Sequence, residues 1–347
     1  MKPSTALPPT KKLSPRSSGK TLPAVFAVLV LLSVVSLCFG SYELTFSVLW
    51  KIVTGRETGT ASTVFFGLRL PRVLTAILAG GVLGVTGAVC QTVFCNPLAS
   101  PDITGVASGC SLGAAAAILF GLPAAWRAPV SFAGGIAALA FLLLFVSSAG
   151  RAGAERKSTY LLAGILVSAA ADAGVMILKT AADPERELAA IEYWTMGSFA
   201  AVTGEKALLT ACFSLPPLLL LLLFSRQALI LSRGSEEARA VGVSPAVWQT
   251  VLLLLSTFAV AGVVSAVGVI GFVGLIVPHI ALALGGSRGR GFLPLCFGIG
   301  SSLTVLSDLL SRTVISGAEL PVSIFCVGFA VLWFAFLFCR GKAMGVK

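Results

Sequence analysis

Ten long apolar blocks run through this chain, near 22–40, 70–93, 103–122, 128–148, 160–181, 206–225, 247–267, 269–285, 292–311 and 320–339. Most approach the ~20 residues that a helix needs to cross the hydrocarbon core of a bilayer. None of them carries the period of two that marks a half-buried strand. In hydrocarbon a backbone must satisfy its own polar groups, so blocks of this kind fold as helices. Pro278 and a glycine-rich turn interrupt the eighth and ninth blocks, whose limits are the least defined. Only 11% of the 347 residues are charged, against roughly a quarter in a soluble domain. The expected fold is all-α: a polytopic membrane protein with about ten transmembrane helices.

The net charge of +11 could point to nucleic acid, but its placement points to topology. Lys2, Lys11, Lys12, Arg16 and Lys20 open the chain without an acid among them. Basic residues favour cytoplasmic loops, so the N-terminus is expected inside. Ten crossings return the C-terminus to the same side, where Arg340, Lys342 and Lys347 agree with that placement. Adding Arg151, Arg156, Lys157, Arg226, Arg233, Arg239, Arg288 and Arg290 puts 16 of the 25 basic residues inside. No nucleic acid is expected as a partner. The lipid membrane is.

Several chemistries fail on their residues. "LPAVFAVLVLLSVVSLC" is long for a signal peptide, and Leu37 is too large to precede a lipoprotein cysteine, so a first span is expected there. "SPRSSGKT", Ser14 to Thr21, ends like a phosphate-binding loop but has Ser14 where the first glycine is required. The chain is therefore expected to bind no nucleotide and no cofactor of its own. Eight cysteines are scattered without a CxxC, and buried cysteine behaves as a small hydrophobe. His279, the sole histidine, has no carboxylate within a turn, which favours helix packing beside Pro278 over a metal site. No acid–base pair or triad is present, so no catalytic residue is assigned.

Against this background "RQALILSRGSEEARAVGVSPAVW", Arg226 to Trp248, stands out as a charged interlude between two apolar walls. Ser235 is expected to cap a short helix, with Glu236 and Glu237 in its first turn. Gly242 supplies the stop. Ser244 and Pro245 then start the helix that becomes the seventh span.

The run from Arg69 to Ala115, "RLPRVLTAILAGGVLGVTGAVCQTVFCNPLASPDITGVASGCSLGAA", closely resembles the FecCD-type permeases. The resemblance continues through "LAGILVSA", "YWTMGSF", "GSEEARAVGV", "GFVGLIVPHIALAL" and "SDLLSRTVISGAELPVSI", covering the chain from about residue 60 in the family's order. It implies the membrane subunit of an ATP-binding-cassette importer for iron–siderophores, haem or vitamin B12, in the bacterial inner membrane. It implies a second permease subunit, two ATPase subunits that bind ATP and magnesium, and an extracytoplasmic binding protein. The domain plan is then a basic cytoplasmic tail (1–21), one transmembrane permease domain (22–340) with a cytoplasmic coupling segment (226–248), and a short cytoplasmic tail (341–347). Within that segment the resemblance assigns ATPase coupling to Ser235, Glu236, Glu237, Arg239 and Gly242. Ferric siderophore is the expected cargo class.

Three further readings concern the membrane. Gly80, Gly81, Gly84 and Gly87 crowd the second span; Gly105, Gly109 and Gly113, spaced by four, share one face and suit close packing. "GGVLGVTGAV" and "AGVVSAVGVI" are weakly alike and cross in opposite directions, a possible inverted repeat. Ser168, Asp172, Met176, Lys179 and Asp183 recur on one face of the fifth span. Ionisable residues at such depth normally face a bundle interior or water, and the first four are expected to line a translocation pathway. The rival reading is a secondary transporter driven through Asp172 and Lys179. On the opposite side, Arg69 and Arg72 in "RLPR" and Arg312 run against the positive-inside bias. The resemblance makes them an outer basic patch that receives acidic residues of the binding protein.

Overall fold

The computed structural model describes residues 18–40, 45–57, 59–149, 154–285, 287–315 and 317–339. Among these the secondary structure is entirely helical. The elements run α1 (Ser18–Cys38), α2 (Phe46–Val53), α3 (Thr60–Val64), α4 (Leu70–Val93), α5 (Val106–Leu119), α6 (Ala124–Ser148), α7 (Ala154–Ala181) and α8 (Ala189–Thr195). They continue with α9 (Gly204–Leu223), α10 (Ser225–Leu231), α11 (Ser235–Ala240), α12 (Pro245–Val267), α13 (Val273–Gly285), α14 (Phe292–Thr313) and α15 (Val322–Cys339). Among the described residues, eight helices are long and apolar enough to cross a membrane, and α5 and α13 are shorter apolar helices. Each of the ten apolar blocks thus becomes one helix.

The second span reaches further than its apolar block. Helix continues from Thr60 to Val93, joined by a π-helical turn over Phe65–Arg69. Pro71 follows that turn at once. Proline lacks an N–H and crowds the preceding turn, and a wider turn at that point relieves both problems. The first helix starts at Ser18, four residues before the first apolar block. Residues 1–17 and 340–347, which hold most of the two tails, lie outside the described residues.

Helix α4 is the axis of the bundle, with 20 of its residues buried from Pro71 to Val93. It packs against α14, α12, α13 and α9. Glycines make this possible: a Cβ on Gly80 would overlap the backbone of Gly300, and one on Gly87 that of Gly274. Hydroxyls stitch the close approaches. Thr304 donates to the carbonyl of Ala76 at 2.7 Å, and Ser301 to that of Ile77 at 2.7 Å. Such bonds between membrane helices contribute about 0.6 kcal/mol each.

The short helices explain where irregular backbone enters the bundle. At 14 and 13 residues, α5 and α13 span only about 20 Å each. Each follows a long buried helix and a break containing a left-handed glycine, Gly105 or Gly268, both at φ +77°. The segment before α5 is wedged between neighbours: Gly164 of α7 abuts the carbonyl of Ile103, and Gly274 of α13 abuts Pro101. Non-helical backbone at membrane depth persists only where protein or a cavity covers it. The matched pair of long helix, break and short helix is the pattern expected of the possible inverted repeat.

Three local expectations need correction. Gly105 does not share a helical face with Gly109 and Gly113; it precedes α5 in a left-handed conformation against Val167, while the other two meet α6. Ser235 is the first residue of α11 and its hydroxyl makes no cap; Gly234, at φ +122°, takes the capping position. Asp183 lies beyond α7, where its carboxylate accepts from the backbone N–H groups of Glu185 and Arg186 and so starts the next turn.

Candidate functional site

Charged side chains gather in three places. The first is the end of the bundle where α1 finishes. Arg69, Arg72 and Arg312 are 5%, 9% and 8% exposed, so they form no exposed basic patch in this structure. Arg69 donates to the carbonyls of Leu37 and Cys38 at 2.6 and 2.7 Å. These acceptors end α1 and have no partner within their own helix. Arg312 donates to the carbonyl and hydroxyl of Ser36 and lies 3.6 Å from Asp308. The Nε of Arg72 donates to Asp308 at 2.9 Å, and its two Nη atoms donate to Glu319 at 2.9 and 3.0 Å. The cluster is brought together by tertiary structure, and among the described residues Oδ2 of Asp308 and Nε of Arg312 are buried without a hydrogen bond.

The second place is the wall of α7. Asp172, Met176 and Lys179 line a cavity of about 420 Å³ together with Asp102, Ser111, Thr195 and Val269. Ser168 is not among its lining residues; it sits beside Gly105, below the break before α5. Lys179 pairs with Glu192 of α8 at 2.8 Å, not with Asp172. Asp102 has open residue surface and accepts from the Ser100 hydroxyl at 3.3 Å. The cavity therefore offers two carboxylates and hydroxyls beside a lysine already paired with Glu192. Asp102 and Glu192 escaped the sequence reading because neither lies on an apolar block.

The third place is the charged interlude. It folds into two short helices, α10 and α11, instead of the single one expected. Ala228, Leu231 and Ala238 bury the underside of the pair. Gly242 is left-handed at φ +78°, its N–H donates to Arg239, and Val243 N–H donates to Ala238. That is the paired bonding of a Schellman stop, as the glycine led one to expect. Phe224 and Trp248 meet edge to face at 5.0 Å and brace the end of α9 against the start of α12. Glu236, Glu237 and Arg239 face outward, with the Glu236–Arg239 pair at 3.7 Å and its side chains 92% and 57% exposed.

One segment connects the second and third places. Cys95 reaches the carbonyl of Leu231 in α10 at 4.0 Å. Two residues on, the carbonyl of Pro97 accepts from Nε2 of His279 at 2.9 Å. A carbonyl only accepts, so this contact assigns the proton of His279 to Nε2. The histidine is thus a helix-packing residue, as expected, and what it holds is the segment that carries Asp102 to the cavity. Among the described residues no group of three potential metal ligands occurs.

Comparison with known proteins gives these places a common setting. The profile of the FecCD transport family matches residues 28–340. The molybdate import system permease MolB of Haemophilus influenzae is 36% identical, over 90% of this chain and 93% of its own. The hemin transport permease HmuU of Yersinia pestis is 33% identical, over 86% and 88%. The vitamin B12 import permease BtuC of Pectobacterium atrosepticum is 32% identical, over 94% and 96%. Among solved structures, an inward-facing metal-chelate type ABC transporter superposes with a TM-score of 0.81 at 33% identity, covering 92% of this chain and 99% of that one.

Proposed function

The chain belongs to the FecCD transport family, and we propose that, as the multi-pass permease subunit of an inner-membrane ATP-binding-cassette importer, it translocates a metal chelate, a ferric siderophore first among the candidates. Related permeases named for molybdate, hemin and vitamin B12 set the range of cargo considered. The observation that carries the reading is the cavity edged by Asp102, Asp172, Met176 and Lys179, connected through the Cys95–Pro97 segment to the exposed helix pair α10 and α11. A permease needs such a connection, because the energy source is separate from the path. In this reading the chain binds no nucleotide. Two ATPase subunits bind ATP and magnesium and dock on α11 through Ser235, Glu236, Glu237, Arg239 and Gly242. A second permease subunit, most simply another copy, completes the path, and both termini are cytoplasmic. An extracytoplasmic binding protein delivers the cargo at the opposite end, where Arg72 and its neighbours lie.

The ion-driven alternative loses its proposed coupling pair, since Lys179 is engaged by Glu192 at 2.8 Å. The test is uptake of a radiolabelled ferric siderophore by cells carrying the chain with its ATPase and binding protein. Uptake should survive collapse of the ion gradients while ATP is maintained, and stop when the ATPase is inactivated. Uptake that follows the gradient instead would overturn the assignment.

A further inference from the structure

Where α5 and α12 end and α6 and α9 begin, the bundle holds a cavity of about 280 Å³. Helix α9 leads from it to α10, so it lies at the end of the bundle away from the exposed helix pair. Arg127 and Lys206 line it together with Tyr193, Ser198 and Ser265, and no carboxylate is among its lining residues. Neither cation makes an ion pair among the described residues. Lys206 donates one proton to the carbonyl of Ala201 at 3.0 Å, which leaves two to give. The Nε of Arg127 is buried without a hydrogen-bond partner, a rare condition for a polar group. Both cations also stand in the first turn of their helices, where the backbone dipole already presents positive charge. Glu205, next to Lys206 in the chain, is exposed. What the pocket lacks is an anion.

The pocket continues into a second cavity. Ala128, Lys206, Ser265 and Ala266 also line a groove of about 370 Å³ between α6, α9 and α12. Its other walls are mostly apolar, with Pro129, Phe132, Leu209 and Phe213 among them. Leu209 and Phe213 are 45% and 50% exposed, on a helix long and apolar enough to cross a membrane. Trp126, beside Arg127 in the chain, and Tyr193 are exposed large aromatics, the residues that gather at the headgroup level of a bilayer.

We propose that the two cavities together bind a phospholipid of net negative charge. Its phosphate sits between Arg127 and Lys206, and an acyl chain runs along α9 past Leu209 and Phe213. A free phosphate has no use for the groove, and a hydrocarbon chain has none for the cations; only a molecule with both parts fits both cavities. A zwitterionic headgroup brings an ammonium toward two cations with no carboxylate to receive it, so it is disfavoured. The site also touches α8, the helix that supplies Glu192 to Lys179.

The test uses the full chain purified in detergent, with bound lipid counted by native mass spectrometry. Phosphatidylglycerol should bind about tenfold more tightly than phosphatidylethanolamine. Arg127→Gln combined with Lys206→Gln should erase that preference. Leu209→Trp, which fills the groove and leaves both cations in place, should weaken phosphatidylglycerol binding several-fold. Equal binding of the two lipids by the wild type, or a preference that survives the double substitution, overturns the proposal. Glycerol phosphate, the same headgroup without chains, should compete poorly; competition as strong as that of the lipid assigns the pocket to a free phosphate instead. Leu209→p-benzoylphenylalanine, irradiated in membranes, identifies what covers the groove. A phospholipid adduct is expected, whereas a chain-to-chain adduct gives the groove to a second copy and overturns the lipid.

Discussion

The two ends of the bundle use the same side chains in opposite ways. Where α1 finishes, Arg72, Arg312 and Asp308 are buried, with Asp308 fully out of solvent and bonded to Arg72 at 2.9 Å. At the end formed by α10 and α11, Glu236 and Arg239 stand 3.7 Å apart with their side chains largely in solvent. Buried ion pairs contribute little net stability, yet removing one partner is severe because it strands the other. An exposed pair is screened and weak, and both of its members stay free to meet something else. One end therefore holds structure through its charges, and the other presents them.

That contrast yields a graded set of expectations. The largest effect belongs to Asp308→Ala, which removes the buried carboxylate that Arg72 and Arg312 share and should destabilise the protein by about 3–5 kcal/mol. Its yield from membranes and its melting temperature should fall sharply; a normal melt would break the contrast. Reversing the charges of α11, with Glu236→Lys, Glu237→Lys and Arg239→Glu combined, should leave the melt in place and abolish ATP-dependent uptake. If hydrolysis and uptake remain coupled in that variant, α11 is only a connection. Asp172→Ala should lower uptake several-fold with assembly intact, because that carboxylate lines the cavity on an exposed stretch of α7. Unchanged transport would remove it from the path. The smallest effect is expected from Glu236→Gln alone, which dissolves a screened pair and should move neither melt nor uptake measurably. A clear loss there would sharpen the picture by showing that one glutamate carries the contact.

What the sequence determined by itself is the set of properties that are local along the chain. Hydrophobic length is one: each of the ten apolar blocks became a helix because about 20 apolar residues fix a helix without reference to anything else. The stop at Gly242 is another, since a left-handed residue after a short helix needs only its own absent Cβ. Of the two short helices, α13 was marked in part by its Pro278, whereas α5 carried no such mark. The function class also came from the sequence, through motifs spread in a family's order.

Only tertiary structure decided who meets whom. Arg72 finds Asp308 across 236 residues and Glu319 across 247, and Pro97 finds His279 across 182. Sequence reading grouped Arg69, Arg72 and Arg312 and took them for an exposed patch, because a basic residue beside a span looks the same whether it faces water or a buried carboxylate. It aligned Lys179 with Asp172 on one helical face, while the partner it takes is Glu192 on α8. Asp102 gave no signal at all, lying in a break that reaches the cavity only because Gly164 and Gly274 let it pass between helices. Helix formation is settled by bonds a few residues long. Charge pairing inside a low-dielectric bundle is settled by whichever opposite charge packing brings within about 3 Å, and no local pattern records that.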